Sequence, residues 1–496
     1  MPTRLRRILS VIIRVAGGVI VGLAVAVLFF VHKVAKDTGL EHALVPLWQA
    51  SFMLQQHYVE PLDPKKTAER LLAGLINDLD PHSAYLSPED IQSFDEQMRG
   101  SYGGIGIEPK AGLSGNLQIG HVMPKGPAAE AGLRPGDRIL AIDGKAVGSQ
   151  VSNGAPDLMA DFKRIRGPIG SVVELAVASP DASEPSRIVK VKRASIELPI
   201  VRWGLIDAPH GKVLWLRASQ FNNELIPEAV AAIIEAQEES KGKISGIMLD
   251  LRSNPGGLVN AAVGLAGLFG ERNAVVVSTR ERNATEPRVW QVQRGELGYD
   301  TEQGGPDLIA KARSAAPWLK SAPMVVLVNR HSASASEIVA GALKDWGRAS
   351  IVGNQTFGKG SVQNVIPLAN NAGALKITTS RYYTPSGKAI QAVGVPVDVE
   401  VRTPLDQGLR EADIPNHLGE KDGPRPQAEP LAPPPTAAEE KTSDVEDGRA
   451  SFSARISTSG RDPYIKAGLK ELAAKMAAKA RPAPIPAAQA EAVSAS

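Results

Sequence analysis

Cysteine is absent from all 496 residues of the chain, which excludes disulfide bonds, thiolate nucleophiles and cysteine-bound zinc. The chain also lacks an excess of one charge, because 56 lysines and arginines nearly balance 53 aspartates and glutamates. No basic stripe marks a nucleic-acid partner. The eight histidines are scattered, without an H-E-x-x-H metal motif or a G-x-S-x-G serine turn. We therefore expect no metal, no cofactor and no histidine base.

The N-terminus carries the chain's one long apolar run. Arginines precede it, at Arg4, Arg6 and Arg7, and the run extends unbroken from Val15 to Val31. About 17 residues are near the lower limit for a membrane span, and Ile8–Ile13 lengthens the apolar stretch. We favour an uncleaved anchor, because no small-x-small cleavage site follows the run; a cleaved signal peptide is the alternative. Both interpretations predict a bacterial periplasmic location, and the anchor would lie in the inner membrane with a cytoplasmic N-terminus.

Residues 99–197 combine a glycine-rich strand entry with short helices and turns. The pattern comprises Tyr102–Ile107, the short helix segment Gly126–Leu133, a strand closed by an Asp-Gly turn in Pro135–Gly144, and an amphipathic helix in Asp157–Ile165. This order resembles a PDZ domain of the bacterial, circularly permuted type. The resemblance implies binding of extended peptide C-termini along a strand edge.

Successive glycines can turn backbone N–H groups toward one point and so form a nest for a carboxylate. The candidates for the terminal carboxylate and the adjoining peptide are Gly103, Gly104, Ile105, Gly106 and Ile107. Leu158 and Phe162, on one face of the predicted helix, are candidates for contact with the last apolar side chain. A plain glycine turn is the alternative.

Two short motifs in the C-terminal half carry the chemistry. Ser334 lies among small residues in Asn329–Glu337, and Lys359 lies between glycines in Thr356–Gln363. A serine hydroxyl needs a base to become a nucleophile, and a lysine amine can be that base only when burial or a nearby positive charge keeps it neutral. Taken singly, these motifs also fit a helix cap and an exposed turn. Ser332 and Ser336 are the competing nucleophiles.

Together, in this order and spacing, the motifs resemble the C-terminal processing (tail-specific) peptidases, the S41 family of Ser/Lys proteases. The resemblance covers roughly residues 45–403. It implies that Ser334 is the nucleophile, that Lys359 is the base and that Gln363 positions the lysine. It also implies a multidomain α/β fold, in which a core like that of the crotonase and Clp protease group carries an inserted, β-rich PDZ domain.

Acyl transfer also needs donors for an oxyanion, which backbone N–H groups supply best. Gly256 and Gly257 follow a strand predicted for Ile244–Asp250, and Ala335 begins a predicted helix directly after Ser334. The resemblance implies that one of the glycines pairs with Ala335. The sequence leaves open which glycine donates.

The predicted organisation has six parts. They are a cytoplasmic stub and transmembrane anchor or signal (1–36), an N-terminal helical region (37–98), the PDZ domain (99–197), the protease core (198–403), a Pro-rich linker (404–460), and a C-terminal helix with a tail (461–496). We expect residues 295–320 to be a surface insertion and the helix after Asp462 to dock on the body. Leu79–Leu86 matches the family's N-terminal region, and we interpret it as structural. Ser87, followed by Pro88, predicts the N-cap of the next helix.

These features predict a membrane-anchored periplasmic serine endopeptidase that recognises unstructured, apolar C-termini of substrate proteins through its PDZ domain. The alternative is a catalytically inert PDZ scaffold that binds C-termini. Further partners that fit the resemblance are an adaptor lipoprotein and a second copy of the chain, joined through the N- or C-terminal helices. No nucleic acid is expected.

Overall fold

The computed structural model describes residues 40–111, 117–148, 151–152, 155–156, 158–180, 185–197, 199–209, 211–292, 307–403, 408–419 and 462–480. The segment 1–36, predicted as anchor or signal, lies outside the described residues. Within them, no helix combines the length and the apolar character that a bilayer span requires. The chain divides into two compact units between Ile76 and Asn77.

The first unit contains two described helices, α1 (Leu40–His57) and α2 (Pro64–Ile76). A proline at the first position and the carboxylate of Asp63 begin α2, because Asp63 Oδ1 accepts the Lys65 N–H at 2.9 Å. On α1, the large side chains of Trp48, Phe52 and Met53 are exposed.

The second unit begins with β1 (Ala84–Leu86) and α3 (Pro88–Arg99). The predicted serine cap of α3 is confirmed, because Ser87 Oγ accepts the Asp90 N–H at 3.1 Å and Asp90 bonds back to the Ser87 N–H. Gly100, with a φ of 77°, ends the helix in the left-handed conformation.

The next elements form the predicted PDZ region. They are β2 (Ser101–Gly104), β3 (Ile107–Ala111), β4 (Leu117–Val122), α4 (Pro127–Glu130), β5 (Arg138–Ile142), β6 (Lys145–Ala146), β7 (Val151–Ser152), β8 (Ala155–Pro156), α5 (Leu158–Ile165), β9 (Val172–Ala178), β10 (Arg187–Lys192) and β11 (Ala194–Glu197). An antiparallel sheet runs in the order β10-β9-β5-β4-β3, with β6 beside β5. Strand β2 pairs with β11, so the start and the end of this region meet.

The remaining elements up to residue 403 form an α/β core. They are β12 (Val201–Ala208), β13 (Gly211–Ala218), α6 (Leu225–Ser240), β14 (Ile244–Asp250), α7 (Val259–Phe269), β15 (Val275–Glu281), β16 (Arg288–Gln291), α8 (Leu308–Ala315), α9 (Trp318–Ser321), β17 (Met324–Val328), α10 (Ala335–Asp345), β18 (Ser350–Gly353), β19 (Ser361–Pro367), β20 (Ala374–Tyr383) and β21 (Val399–Glu400). A short 3₁₀ helix, Ala369–Asn371, joins β19 to β20.

The central sheet has the order β12-β13-β14-β17-β18-β21 and is parallel from β13 onward. Its side chains alternate between two apolar cores, as the two-residue period of a strand requires. In β17, Val326 and Val328 face the core shared with α6, α7 and α10, whereas Val325 and Leu327 face the other core. A second sheet has the order β1-β20-β15-β16, with β19 also pairing with β20.

The expectation of a surface insertion at 295–320 is wrong for its described part, which begins at residue 307. Helices α8 and α9 pack into the main core, where Ile309, Ala312 and Leu319 are buried. The three- to four-residue spacing of apolar side chains gives α8 a buried face.

Two segments after the core also pack on it. Residues 408–419, within the range predicted as linker, contain a 3₁₀ helix, Glu411–Asp413, and Glu411 is fully buried. Helix α11 (Pro463–Ala480) covers the second face of the central sheet and buries Tyr464, Ile465 and Leu472. The predicted docking of the C-terminal helix is thus confirmed.

Candidate active site

Ser334 lies at the N-terminus of α10, after the loop that leaves β17. Its φ of 54° and ψ of −114° are unfavourable for a residue with a side chain. Such a conformation costs about 1–3 kcal/mol and is maintained only by the surrounding structure. The Ser334 side chain is half-buried, and its hydroxyl donates no hydrogen bond to another described residue. The hydroxyl is therefore available to a substrate.

The competing serines have structural partners. Ser332 Oγ donates to the Leu251 carbonyl oxygen at 2.8 Å, and Ser336 Oγ donates to the Asn254 carbonyl oxygen at 2.9 Å. Both residues are completely buried. His331 is exposed. The geometry thus singles out Ser334 among the three serines.

Lys359 lies in the loop between β18 and β19 and is half-buried. Burial, with a smaller contribution from the positive charge of Lys376, lowers the pKa of Lys359 to about 8, against the opposing effect of Glu411, Glu337 and Asp80. A substantial fraction of its amine is therefore neutral near pH 8. The amine makes no hydrogen bond to another described residue.

One carboxylate that the sequence analysis missed joins the two motifs. Glu337 Oε2 accepts the N–H groups of Ser334 at 2.8 Å and of Lys359 at 2.9 Å. Its Oε1 accepts the Gly358 N–H at 2.7 Å and the Thr356 hydroxyl at 2.6 Å. Burial raises the pKa of Glu337 to about 7, although these four hydrogen bonds favour ionisation. The spacing Ser334-x-x-Glu337 is that of a capping box, which is the signal that could have revealed this residue.

A tyrosine makes a second link between the same segments. The Tyr382 hydroxyl, at the end of β20, lies within hydrogen-bond distance of the carbonyl oxygens of both Ser334 and Lys359, which share its single proton. Burial raises its pKa well above the ordinary value, and Glu337 and Glu411 add to the rise. The hydroxyl therefore remains protonated and can act as a donor.

Gln363 lies on β19, four residues after Lys359. Its Nε2 donates to Ser361 Oγ at 3.0 Å and to Thr378 Oγ1 at 3.1 Å. Thr378 in turn bonds to Asp80, which belongs to the segment interpreted from sequence as structural. The predicted positioning residue thus connects the lysine loop to the beginning of the second unit.

The buried segment around Glu411 supports the lysine loop from the other side. Glu411 Oε1 accepts from Gln391 Nε2 at 2.8 Å, and Gln391 Oε1 accepts the Gly360 N–H at 2.9 Å. Glu411 Oε2 lies 2.7 Å from His82 Nε2. This chain of contacts fixes the backbone directly after Lys359, and sequence reasoning found no sign of it.

The predicted oxyanion residues lie together beside Ser334. A Cβ on Gly256 would lie 2.7 Å from Ser334 Cβ, so the two backbones approach closely. The Gly256 N–H donates to Asn254 Oδ1 at 2.9 Å. The N–H groups of Gly257 and Ala335 make no hydrogen bond to any other described residue. Gly257, with a φ of 143°, thus has the available donor of the two glycines.

An ion-pair cluster supports this loop from behind. Arg252 Nη2 lies 2.6 Å from Asp250 Oδ2, and Arg252 Nη1 lies 2.9 Å from Asp462 Oδ2, at the start of α11. Asp250 is completely buried. The C-terminal helix is therefore tied directly to the strand end that leads to Gly257.

The PDZ candidates separate into two groups. Gly103 and Gly104 pair with β11, and the side chains of Ile105 and Ile107 are buried in the domain core. No hydrogen bond from the Ile105 or Gly106 N–H is found among the described residues, and Gly106 has a φ of 76°. Of the five residues expected from sequence, Ile105 and Gly106 therefore have backbone N–H groups available to a peptide carboxylate.

The helix candidates lie at the edge of the same domain. Leu158 is half-buried, and Phe162 packs partly against the domain core. Arg166, which the sequence analysis missed, lies over the rings of Tyr102 at 4.2 Å and Phe162 at 5.2 Å. A positive charge thus lies between the glycine-rich segment and the end of α5.

Comparisons with known proteins agree with these two regions. The family model of peptidase family S41 matches residues 212–401, and that of the PDZ domain matches residues 118–178. A carboxy-terminal-processing protease of Bartonella bacilliformis is 36% identical over 371 residues, which cover 74% of this chain and 77% of that protein. The chain belongs to peptidase family S41.

Two further proteins are similar to this chain. A protein of Staphylococcus aureus named probable CtpA-like serine protease is 32% identical over 358 residues, which cover 72% of this chain and 64% of that protein. A solved photosystem II D1 C-terminal processing protease is 28% identical, with a TM-score of 0.38, and covers 71% of this chain and 86% of that one.

Family S41 membership establishes a serine protease of the carboxy-terminal-processing type with a PDZ domain. The matched S41 range contains Ser334, Lys359 and Gln363. Asp80, Glu411 and α11, which support the site in the structure, lie outside that range.

Proposed function

We propose that this S41 protease cleaves peptide bonds with a dyad formed by Ser334 and Lys359. The observation that carries this proposal is the shared carboxylate of Glu337, which binds the backbone N–H groups of both residues. Burial of Lys359 and the accessible hydroxyl of Ser334 supply the required chemistry.

In the proposed reaction, neutral Lys359 takes the hydroxyl proton of Ser334, and Oγ bonds to the scissile carbonyl carbon. The negative charge that develops on the carbonyl oxygen is stabilised by the Gly257 and Ala335 N–H groups. Protonated Lys359 then donates its proton to the leaving amine as the C–N bond breaks. Water, deprotonated by the same lysine, hydrolyses the acyl-enzyme and restores Ser334.

We further propose that the PDZ domain binds the free, apolar C-terminus of a substrate. The Ile105 and Gly106 N–H groups, with Arg166 nearby, offer donors and a positive charge to a terminal carboxylate. Leu158 and Phe162 would contact the last apolar side chain. An N-terminal anchor in the bacterial inner membrane, with the protease in the periplasm, is the location that the apolar N-terminal run favours.

Cleavage and binding should be measured separately with the full chain. Peptides that end in an apolar residue should be cleaved by the wild type, and Ser334→Ala should abolish cleavage without weakening binding. Ser332→Ala is the matched control for the identity of the nucleophile, and this variant should still cleave the peptide. Residual cleavage by Ser334→Ala would overturn the proposed nucleophile.

The inert Ser334→Ala protein then tests recognition of the C-terminus. Amidation of the peptide should weaken binding by about 1–3 kcal/mol, because a charge-assisted contact is lost. Equal affinity for free-acid and amidated peptides would contradict C-terminal recognition by the PDZ domain. Binding by the wild type without any cleavage would favour the inert scaffold.

A further inference from the structure

The Gln363 amide has two donor hydrogens on Nε2 and one acceptor oxygen, Oε1. Both of its hydrogen bonds, to Ser361 Oγ and Thr378 Oγ1, are made by Nε2. Its Oε1 bonds to no other described residue. Because a rotation of the amide by 180° exchanges the two atoms, a neighbour must determine the orientation.

Thr378 is that neighbour, because the direction of its own proton is fixed. Thr378 Oγ1 lies 3.1 Å from Asp80 Oδ1, which also accepts the N–H groups of His82 at 2.9 Å and Ser83 at 3.0 Å. Ser83 Oγ donates to Asp80 Oδ2 at 2.6 Å. Burial opposes ionisation of Asp80, but the hydrogen bonds from Ser83, His82 and Thr378 outweigh it and lower its pKa. Asp80 is thus an acceptor only, and the Thr378 proton must point to it.

With its proton committed, Thr378 Oγ1 presents only lone pairs to Gln363. A carbonyl oxygen placed there would face those lone pairs, whereas the NH₂ group bonds to them. The Thr378 N–H also donates to Ser83 Oγ at 3.0 Å, which holds β20 against the Asp80 segment. The favoured orientation therefore turns Oε1 away from both hydroxyls.

We propose that Asp80, acting through Thr378, fixes the Gln363 amide so that its carbonyl oxygen accepts from the Lys359 amine. Asp80 and Thr378 are then positioning residues of the dyad, and the inference rests on the proposed function. A neutral amide oxygen can orient the amine without adding a negative charge, which would favour the protonated lysine. Leu79–Leu86 thereby acquires a role in catalysis.

The first test is Thr378→Val, which removes the hydroxyl and leaves every charge around Lys359 unchanged. We expect kcat to fall about tenfold, with KM within about twofold, as expected for loss of one orienting hydrogen bond. Thr378→Ser should restore kcat. Thr379→Val is the matched control, because the Thr379 hydroxyl lies 3.4 Å from Ser380 Oγ and contacts neither Asp80 nor Gln363.

A double-mutant cycle separates positioning from general loss of structure. In a Gln363→Ala background, Thr378→Val should lower kcat no further, because no amide remains to orient. An equal loss in both backgrounds would overturn the inference, as would full kcat in Thr378→Val. Thermal unfolding of each variant checks that the proteins are folded.

Substitutions at Asp80 test the acceptor oxygen separately from the charge. Asp80→Asn can keep its oxygen on Thr378 and the two backbone N–H groups, and can turn its amide nitrogen toward Ser83 Oγ. It should therefore retain much more kcat than Asp80→Ala, and equal loss in both variants would contradict the proposed mechanism. If Ser334→Ala is inactive while Thr378→Val is fully active, only this inference fails; cleavage by Ser334→Ala would instead overturn the proposed function.

Discussion

Replacement of Glu337 by glutamine tests whether one carboxylate holds the two halves of the site together. The carboxylate receives four hydrogen bonds, two on each oxygen. Glutamine offers a single oxygen, so its NH₂ group must face at least one backbone N–H. The least unfavourable orientation places NH₂ toward Thr356, whose hydroxyl can turn to accept, and leaves the Gly358 N–H unpaired.

Two opposing effects determine how Glu337→Gln changes the free energy of unfolding. A buried unpaired donor costs about 1–3 kcal/mol. The rise in the pKa of Glu337 from 4.5 to about 7 means that its ionisation costs the folded state about 3 kcal/mol above pH 7. Glutamine removes that cost, so the two terms nearly cancel at pH 8. We therefore expect Glu337→Gln to change the free energy of unfolding little at pH 8 while lowering kcat about 100-fold through misplacement of the dyad.

The pH dependence of stability gives an independent readout. Because the folded-state pKa of Glu337 is raised, its contribution to stability is fully present below the unfolded-state pKa and is lost as pH rises through about 7. Denaturant unfolding at pH 5 and pH 8 should show this loss in the wild type and not in Glu337→Gln. Asp345→Asn, on the same helix, is the matched control for the isosteric exchange and should keep kcat. Wild-type kcat in Glu337→Gln would refute the linking role of the carboxylate.

Three further variants probe neighbouring contacts. Tyr382→Phe should lower kcat about tenfold by removing the donor shared by two carbonyl oxygens, whereas Tyr383→Phe, on the adjacent residue, should not. Gly257→Ala should lower kcat about 100-fold or more, because its Cβ would lie 2.0 Å from the Phe221 carbonyl oxygen and displace the oxyanion donor. Asp462→Asn should lower the free energy of unfolding by about 1 kcal/mol, since it weakens the ion pair with half-buried Arg252. Steady-state kinetics and denaturant unfolding check these outcomes, and unchanged values would contradict the assigned contacts.

Much of the fold can be predicted from short-range patterns in the sequence. The serine cap at Ser87, the strand Ile244–Asp250 and the docked C-terminal helix follow from capping chemistry and apolar periodicity, and each appears in the structure. The expectation of a surface insertion is wrong at the helix Leu308–Ala315, because the apolar residues at helical spacing in this segment pack into the main core.

The supporting contacts of the site could not be found in the same way. Tyr382 reaches Ser334 across 48 positions, and Glu411 reaches His82 across 329 positions. Such contacts depend on sheet register and on the packing of distant segments, which no local pattern encodes. Glu337 is the exception, because its three-residue distance from Ser334 gave a readable capping signal.

Active-site labelling tests the central claim most directly. A fluorophosphonate that reacts with activated serines should modify Ser334 alone, as mapped by mass spectrometry of the digested protein. The labelling rate should rise with pH through about 8, where Lys359 becomes neutral, and should be lost in Lys359→Arg, because a guanidinium stays protonated. Modification of Ser332 or Ser336 instead, or an undiminished rate in Lys359→Arg, would contradict a Ser334–Lys359 dyad.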